Sequence, residues 1–339
     1  MSAAATTHDV FRVHGGKVEA ARAAFPGSPE PWIDLSTGIC PWSYPLTSPP
    51  SSAFTRLPEP EVITELEQAA ASCFGVADPS RVIATPGSDQ ALRIAGALLK
   101  DKHVAVVRPG YSGHILAWKA RKPDEIVAEE LDWAARNHDV VVLANPNNPD
   151  GRTIRREHLI EAAEVLASRG GVLLVDEAFA DAAPELSVSD AAGAGLIVFR
   201  SFGKFFGLAG LRLGFVIANA EWAAGFRQLL GDWPITGPTA VIATAAYRDR
   251  EWQTAQRARL ANGAARLNSV LNKSRLEVIG GTVLFRLARA CNADAVFRQL
   301  TAAGILTRPF ANDPTLLRVG LPSNDSQWKR LEQALGVRP

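Results

Sequence analysis

The sequence predicts an α/β protein, with a three-layer α/β/α domain around a mostly parallel sheet and a smaller C-terminal α+β domain. Short runs of Val, Ile and Leu, such as 139–146 and 171–178, alternate with helical stretches such as 157–170. Continuous apolar runs of this length are typical of strands that are covered on both faces. The 339 residues, of which 47% are hydrophobic, are also enough for more than one domain of ordinary size.

The predicted elements follow one another in a regular order. The apolar runs predict strands at 81–85, 103–109, 139–146, 171–178, 195–201 and 212–218. The helical patterns predict helices at 60–75, 88–99, 112–120 and 157–170, with further long helices within 219–272. A smaller α+β unit is expected from the segments RLEVI, GTVLFRLA, GILTRPF and LLRVGLP, with a helix near 293–303 and a terminal helix.

Three regions are expected along the chain. Residues 1–50 are rich in Pro, Gly and Ser and predict an N-terminal arm that contributes to the small domain and the substrate site. Residues 51–255 form the large domain, and residues 256–339 form the small C-terminal domain. Ligands of parallel α/β sheets collect at the carboxyl ends of the strands, so the polar residues at those ends are the candidates for function.

Composition excludes several classes of function. The net charge is +1, which gives no broad field for nucleic acid or a membrane surface. Cys40, Cys73 and Cys291 are scattered and form neither a metal-binding spacing nor a disulfide framework. The N-terminus lacks the pattern of a signal peptide, and no apolar run approaches the ~18 residues of a membrane helix. We therefore expect a cytoplasmic protein with no metal ion.

The segment TPGSDQ follows the first strand of the large domain and opens a helix. Gly87 frees the backbone, and Ser88 and Asp89 are expected at N-cap positions. A helix N-terminus presents unpaired N–H groups and the positive end of the helix dipole, which suits a phosphate. An ordinary capped turn is the alternative.

Two further strand ends carry polar or aromatic residues. Tyr111 in RPGYSGH follows the second strand, where its ring can stack on a flat ligand; packing at the sheet edge is the alternative. ANPNNPDG contains two Asn-Pro pairs and a glycine, which predict a stiff turn that holds the side chain of Asn148. A plain β-turn is the alternative there.

The last two strand ends carry charged residues beside apolar runs. LLVDEAF ends in Asp176 and Glu177, and a buried carboxylate needs a cationic partner or several donors. Glu177 has the opposite strand parity and is interpreted as structural. In SFGKFFGLAGLRLG, Lys204 is either a solvated surface lysine or a buried amine, and burial would lower the pKa of that amine. Ser201 and Arg212, in the same segment, can hold a phosphate. In this order, the five strand ends predict a pyridoxal 5′-phosphate (PLP) site.

The run NPNNPDG, DEAF and SFGKFFGLAGLRLG resembles the fold-type I PLP enzymes of the aspartate-aminotransferase superfamily, over residues 30–335. The resemblance implies a homodimer in which Lys204 forms the Schiff base with PLP. It also implies that Asp176 pairs with the pyridinium nitrogen, Asn148 bonds the ring hydroxyl and Tyr111 stacks on the ring. The cofactor phosphate is implied to be surrounded by Gly87, Ser88, Asp89, Ser201 and Arg212.

Other segments resemble the L-threonine-O-3-phosphate decarboxylases of cobalamin biosynthesis, which make (R)-1-amino-2-propanol phosphate. Phe179 in DEAF stands where many relatives have a tyrosine that also bonds the cofactor ring hydroxyl. HGG at 14–16, DLSTGICPWSYP at 34–45, and TRPF followed by LRVGLP are similar to that group as well. The resemblance implies that Arg318 binds the substrate α-carboxylate, and Arg308 and His14 are the candidates for the substrate phosphate. The full set of implied substrate-binding residues is His14, Gly38, Cys40, Asn148, Arg308 and Arg318.

The resemblance has two departures and leaves alternatives. Cys40 stands where the related segment has Asn, and Leu57 stands where histidinol-phosphate aminotransferases have a tyrosine that reaches the partner's cofactor phosphate. The leading expectation is a PLP-dependent lyase that acts on a phosphorylated amino acid. A histidinol-phosphate type aminotransferase is the nearest alternative, and a non-enzymatic PLP-binding effector domain is the third.

Overall fold

The computed structural model describes residues 10–337. The strands, in chain order, are β1 Ile33–Asp34, β2 Val82–Thr85, β3 Val104–Val107, β4 Asp124–Ile126, β5 Val140–Ala144, β6 Val172–Asp176, β7 Leu196–Ser201, β8 Gly214–Ile217, β9 Glu277–Thr282, β10 Phe285–Arg289, β11 Ile305–Leu306, β12 Arg308–Pro309 and β13 Leu316–Gly320. The α-helices are α1 Val10–Val13, α2 Val18–Ala24, α3 Ser52–Thr55, α4 Pro60–Phe74, α5 Ser88–Leu98, α6 Ser112–Ala117, α7 Leu131–Asn137, α8 Arg156–Ala167, α9 Phe202–Phe205, α10 Ala220–Leu230, α11 Gly237–Arg248, α12 Arg250–Lys273, α13 Ala293–Ala302 and α14 Asp325–Ala334.

The chain divides into two compact units. The larger unit comprises Ser43–Asn148 and Arg152–Ala255. The smaller unit comprises the described residues of Met1–Trp42, Pro149–Gly151 and Gln256–Pro339. The domain limits of 50/51 and 255/256 that the sequence suggests remain a prediction, and residues 1–9 and 338–339 of those domains lie outside the described part of the chain.

The larger unit is built on a seven-stranded sheet with the order β2-β8-β7-β6-β5-β3-β4. Strands β4, β3, β5, β6 and β7 are parallel, and β8 is antiparallel to its neighbours β7 and β2. Every residue of β2, β3, β6, β7 and β8 is buried, as their apolar runs predict. The prediction of a mostly parallel sheet is confirmed.

Local sequence determines where the helices of this unit begin and end. Pro60 is the first residue of α4, where its missing N–H leaves no donor unsatisfied. Gly75 ends this helix in the left-handed conformation, with φ of 73°. The apolar face of α4 includes Leu66 and Phe74, which are buried. The short edge strand β4 was not predicted, because two of its three residues, Asp124 and Glu125, are charged and exposed.

The smaller unit contains a four-stranded antiparallel sheet with the order β12-β13-β10-β9. A two-stranded parallel sheet joins β1 of the N-terminal segment to β11, where Ile33 pairs with Ile305. Helices α13 and α14 begin with Asn292 and Asn324 as N-caps, whose side chains accept from the backbone of the first turn. Within residues 10–337, no helix is both long and apolar enough to cross a membrane.

Candidate active site

A predicted phosphate site lies at the N-terminus of α5. Gly87 is the N-cap and has φ of +100°, a conformation that residues with a side chain rarely adopt. A Cβ at this position would lie 2.9 Å from Nη2 of Arg212, so the glycine lets the guanidinium approach the helix end. The first N–H groups of a helix have no intrahelical acceptor, and together with the helix dipole they favour an anion. Gly87 and Arg212 therefore meet at a point that attracts phosphate.

The expected capping roles of Ser88 and Asp89 are wrong, because Gly87 is the N-cap and these two residues are the first two of α5. Asp89 instead orients its neighbours. Its Oδ1 accepts from the hydroxyl of Tyr111 at 3.1 Å, and its Oδ2 accepts from Nε of Arg93 at 3.0 Å. An acidic residue in the first turn also suits the positive end of the helix dipole.

Ser201 is one strand away from the same helix end. It is the last residue of β7 and pairs with Gly214 of β8. A Cβ on Gly214 would lie only 2.4 Å from the backbone nitrogen of Ser88, so a larger residue cannot stand there without moving α5. Glycine at 214 thus allows the edge of β8 to lie directly against the N-terminus of α5.

Asp176 is the last residue of β6, and its side chain is buried. Nε2 of His114 lies 3.0 Å from its Oδ2, and the backbone N–H of Ala178 donates to its Oδ1 at 3.1 Å. His114 is fully buried, and its Nδ1 has no hydrogen-bond partner among residues 10–337. Because a neutral imidazole has one donor nitrogen, Nε2 carries the proton and the carboxylate accepts it. His114 therefore fixes the orientation of the buried acid.

Tyr111 is held from two sides. Its hydroxyl donates to Asp89, and its ring meets the ring of His114 edge-on, with centroids 5.6 Å apart and planes at 88°. Burial first, and then the charge of Asp89, raises the pKa of the Tyr111 hydroxyl, which therefore remains a donor at neutral pH. The aromatic ring is thus fixed in place beside the partner of Asp176.

Side chains hold the turn that follows β5. Nδ2 of Asn145 donates to the carbonyl of Ile154 at 3.2 Å, and its Oδ1 accepts from the N–H of Ile154 at 2.9 Å. Nδ2 of Asn147 donates to the carbonyl of Pro109 at 2.8 Å. These bonds fix the backbone on the N-terminal side of Asn148, whose side chain is half-buried. The expected stiff turn is therefore built by the asparagines as well as the prolines.

Lys204 lies in the one-turn helix α9, directly after β7. Phe202 and Phe205 are fully buried, Phe206 is almost so, and Lys204 is half-buried. The rings of Phe202 and Phe206 stack with their centroids 4.5 Å apart. The aromatic residues around the lysine are thus core residues that fix its backbone, and Lys204 is not a fully solvated surface residue.

Glu177 belongs to a separate buried network. Its carboxylate accepts from Nη1 of Arg200 at 2.8 Å, from the N–H of Val188 at 2.6 Å and from the hydroxyl of Ser187 at 2.6 Å. Arg200 also forms an ion pair with Asp181. Burial opposes the charge of Arg200, but the two carboxylates outweigh it and raise the pKa of the guanidinium. Glu177 is structural, as its strand parity indicates.

In the smaller unit, the HGG segment packs against Ser36 of the DLSTG segment. The N–H of Gly16 donates to Oγ of Ser36 at 2.7 Å, and a Cβ on Gly15 would lie 2.4 Å from the carbonyl oxygen of Ser36. That same carbonyl accepts from Nη2 of Arg318 at 2.7 Å. The structure therefore brings the two N-terminal segments and Arg318 together, with the side chain of His14 exposed beside them.

The two predicted substrate arginines are neighbours, because Arg308 of β12 pairs with Arg318 of β13. The side chain of Arg318 is buried, and that of Arg308 is half-buried. Burial lowers the pKa of Arg318, the charge of Arg308 lowers it further, and Asp34 opposes both effects. Two like charges at this spacing favour an anion that contacts both guanidinium groups.

Gly38 and Cys40 are both buried in the smaller unit. Nε2 of Gln256 lies 2.6 Å from Sγ of Cys40, and the thiol lies 3.3 Å from the carbonyl oxygen of Trp42. Burial raises the pKa of the Cys40 thiol to about 11. The thiol therefore contacts neighbouring residues of the same chain, at the position where the related segment has an asparagine.

The second departure, Leu57, lies in the larger unit, and its side chain is exposed.

Two residues of the site were not predicted from the sequence. His114 is a lone histidine on α6, three residues after Tyr111, which is the N-cap of that helix. This short spacing is the signal that could have placed His114 beside the same ligand as Tyr111. Ser36 contributes its carbonyl group, which no sequence pattern indicates. The contacts to these two residues depend on packing between segments that are far apart in the chain.

The residues of the larger unit fit PLP. A phosphate-sized anion suits the cradle of Gly87 and Arg212, where a Cβ would intrude. The buried carboxylate of Asp176 suits a protonated ring nitrogen, because an ionised acid in the interior needs a cationic partner. Gly87 follows the carboxyl end of β2, Asp176 ends β6, and Arg212 precedes the antiparallel β8. The registers therefore place these groups at the sheet edge where the carboxyl ends of the parallel strands β5, β6 and β7 lie side by side.

The family model that describes aminotransferases of class I and II matches residues 50–335. A threonine-phosphate decarboxylase of Pseudomonas aeruginosa is 38% identical over 325 residues, which are 95% of this chain and 96% of that protein. A threonine-phosphate decarboxylase of a Sinorhizobium species is 39% identical over 326 residues, 95% and 97% of the two chains. A histidinol-phosphate aminotransferase of Aeromonas salmonicida is 30% identical over 306 residues, 83% and 84% of the two chains.

The fold is also similar to solved structures. The crystal structure of histidinol-phosphate aminotransferase from Sinorhizobium meliloti in complex with pyridoxal 5′-phosphate has a TM-score of 0.79. It is 20% identical and covers 99% of this chain and 97% of its own. At this identity the similarity establishes the fold alone.

Proposed function

This chain belongs to the aminotransferase class I and II family, and on that premise we propose that it decarboxylates L-threonine O-3-phosphate to (R)-1-amino-2-propanol phosphate in cobalamin biosynthesis, with PLP as its cofactor. The observation that carries the proposal is the sequence identity to two threonine-phosphate decarboxylases over 95% of the chain. The paired Arg308 and Arg318 support it, because this substrate has both a carboxylate and a phosphate.

The residues of the larger unit are assigned to the cofactor. Gly87, Ser88 and Ser201 with Arg212 would hold the phosphate, and Lys204 would bind the cofactor covalently through Nζ. Asp176, oriented by His114, would pair with the ring nitrogen. When bound, PLP supplies an electron sink for the pair of electrons that the broken Cα bond leaves behind.

Lys204 would have a second task while it is not bound to the cofactor. Its Nζ could then hold a proton and donate it to the substrate Cα in place of the departed carbon dioxide. The half-buried position of the lysine, on a backbone fixed by buried phenylalanines, keeps the amine close to the sheet edge. Lys204 is therefore assigned as the general acid.

The arginines of the smaller unit decide how the substrate is oriented. Arg318 is assigned to the α-carboxylate, and Arg308, with His14, to the substrate phosphate. Gly38 and Cys40 are also assigned to the substrate, and Asn148 is assigned to both the substrate and the cofactor ring. Only the bond that stands perpendicular to the cofactor ring breaks readily, so the positions of the two anionic groups select Cα–COO⁻ over Cα–H.

An aminotransferase of the histidinol-phosphate type is the second candidate, because such a relative is 30% identical over 83% of the chain. Incubation of the PLP-loaded enzyme with threonine phosphate separates the two. We expect stoichiometric release of carbon dioxide, with little conversion of the cofactor to its amino form. Carbon dioxide no higher than in a Lys204→Ala control, together with conversion of the cofactor to its amino form, would favour the aminotransferase. Turnover that persists in Lys204→Ala would contradict both.

The enzyme is also proposed to be a cytoplasmic homodimer. Phe54, Leu57 and Trp233 are more than half exposed and line one cleft of the larger unit. Large apolar side chains grouped on a surface are typical of an association site. Cys40 and Cys291 are free thiols, which suits a reducing compartment. Sedimentation should give twice the chain mass, and a Phe54→Ser, Leu57→Ser double variant should shift it towards the monomer.

A further inference from the structure

Two histidines and an aspartate lie together at the opposite edge of the large sheet from the candidate active site. His103 immediately precedes β3, Asp124 is the first residue of β4, and His138 lies two residues before β5. These three strands are parallel neighbours, with Val104 paired to Val140. The three side chains therefore gather at the amino ends of the strands, whereas the predicted cofactor residues follow the carboxyl ends.

The ligand atoms of the three side chains converge on one carboxylate oxygen. Nε2 of His103 and Nε2 of His138 each lie 3.0 Å from Oδ2 of Asp124. The two imidazole rings stack with centroids 4.3 Å apart and planes at 24°. One ligand atom from each residue lies within 4.8 Å of the other two. Two imidazole nitrogens and a carboxylate oxygen thus point into one small space.

The second ring nitrogen of His138 also has a fixed neighbour. Its Nδ1 lies 3.3 Å from the carbonyl oxygen of Ala134, and the ring is buried. A ring that donates Nδ1–H to this carbonyl presents the lone pair of Nε2 to the space beside Asp124, where an ion can accept it.

We propose that His103, Asp124 and His138 form a binding site for a divalent transition-metal ion of the zinc class. Imidazole nitrogen and carboxylate oxygen are ligands that zinc accepts, and a carbonyl that receives Nδ1–H is the usual outer partner of a ligating histidine. Donors about 2.0–2.1 Å from zinc lie about 3.3 Å apart in a regular tetrahedron, so the site needs to open by a few tenths of an ångström. Three protein ligands leave one position for water.

The site has a structural consequence that the active site does not share. It would join the start of β3, the edge strand β4 and the segment that leads into β5. Asp124 and His103 are more than half exposed, so an ion can enter from solvent. The sequence did not predict this site, because its ligands are separated by 21 and 14 residues and form no compact motif.

Calorimetric titration of the PLP-loaded enzyme with Zn²⁺ tests the proposal. Asp124→Asn and His103→Gln change exposed ligands and keep their shape, while the buried His138 is left intact. His158→Gln is the matched control. His158 lies 2.7 Å from Asp132, but among residues 10–337 it belongs to no group of three side chains that could bind a metal ion together. We expect one Zn²⁺ per chain for the wild type and for His158→Gln, with at least ~10-fold weaker binding in the two ligand variants.

Equal affinity in Asp124→Asn and the wild type would place the zinc elsewhere, for example on the cofactor, and would overturn the proposal. Absence of saturable heat in the wild type would mean that hydrogen bonds alone join the three side chains, and would overturn the proposal too.

Discussion

Arg308 and Arg318 stand directly opposite one another on adjacent antiparallel strands. Like charges at paired positions of a sheet are destabilising, so this arrangement lowers the stability of the ligand-free protein. The side chain of Arg318 is also buried, and one of its nitrogens donates to the carbonyl of Ser36. Two arginines at paired positions are suited to a substrate that carries two negative groups.

Substrates with and without a phosphate separate the roles of the two arginines. Arg308→Ala should lower kcat/KM for threonine phosphate by ~10–100-fold, because a charge-assisted hydrogen bond contributes ~1.5–3 kcal/mol. L-Threonine lacks the phosphate, so the same change should leave kcat/KM for L-threonine nearly unaltered. Arg289→Ala, an exposed arginine on the same sheet, is the control and should change neither value. Equal losses on both substrates would assign Arg308 to the carboxylate or to the fold instead.

His114→Ala should leave the carboxylate of Asp176 with one hydrogen bond fewer in a buried place. Loss of a partner from a buried acceptor costs ~1–3 kcal/mol, so urea unfolding should show a decrease of this size. His114→Gln, which keeps a donor, should recover part of it. A positioning role further predicts weaker PLP binding in His114→Ala, measured by cofactor release on dialysis. An unchanged affinity for PLP would limit His114 to a structural role.

The sequence was sufficient to predict most of the fold, because the fold depends on local patterns. The residues assigned to the cofactor also come from local motifs, and their roles stay a prediction. Continuous apolar runs predicted the central strands, and the structure has them within a few residues of the expected positions. The edge strand β4 was missed, since an exposed strand with two acids lacks that pattern. The pairing of Arg308 with Arg318 and the bond from His114 to Asp176 depend on register and packing between distant segments, which no local pattern contains.

Phe179→Tyr tests the departure at the cofactor ring. Phe179 is buried, and a phenol in its place would add a donor to the ring oxygen that Asn148 is assigned to bond. A hydrogen bond to the ionised ring oxygen favours the ionised form of that oxygen. The visible absorbance of the PLP-loaded variant should therefore titrate at lower pH than that of the wild type. Phe179→Leu adds no donor and is the control. A titration curve in Phe179→Tyr that superimposes on the wild type would contradict the assignment.

Cys40 should react slowly with iodoacetamide in the folded enzyme. Burial raises its pKa to about 11, so the thiol is protonated below that pH and only about 0.3% is thiolate at pH 8.5. Peptide mapping should show that the exposed Cys291 is labelled first. The labelling rate of Cys40 should then rise about tenfold per pH unit from pH 8 to 10 as the thiolate fraction grows. Equal rates for the two cysteines at pH 8.5 would place Cys40 in solvent.

Arg200→Met tests the buried network that separates Glu177 from the active site. Arg200 is the cation between Glu177 and Asp181, and all three side chains are buried. Removal of one member of a buried ion pair leaves uncompensated charge and costs ~3–5 kcal/mol, which should appear in the free energy of unfolding. Adding Glu177→Gln and Asp181→Asn removes that charge and should recover most of the loss, because a neutral network costs less to bury than a broken ionic one. A triple variant no more stable than Arg200→Met would show that lost packing, rather than unpaired charge, accounts for the cost.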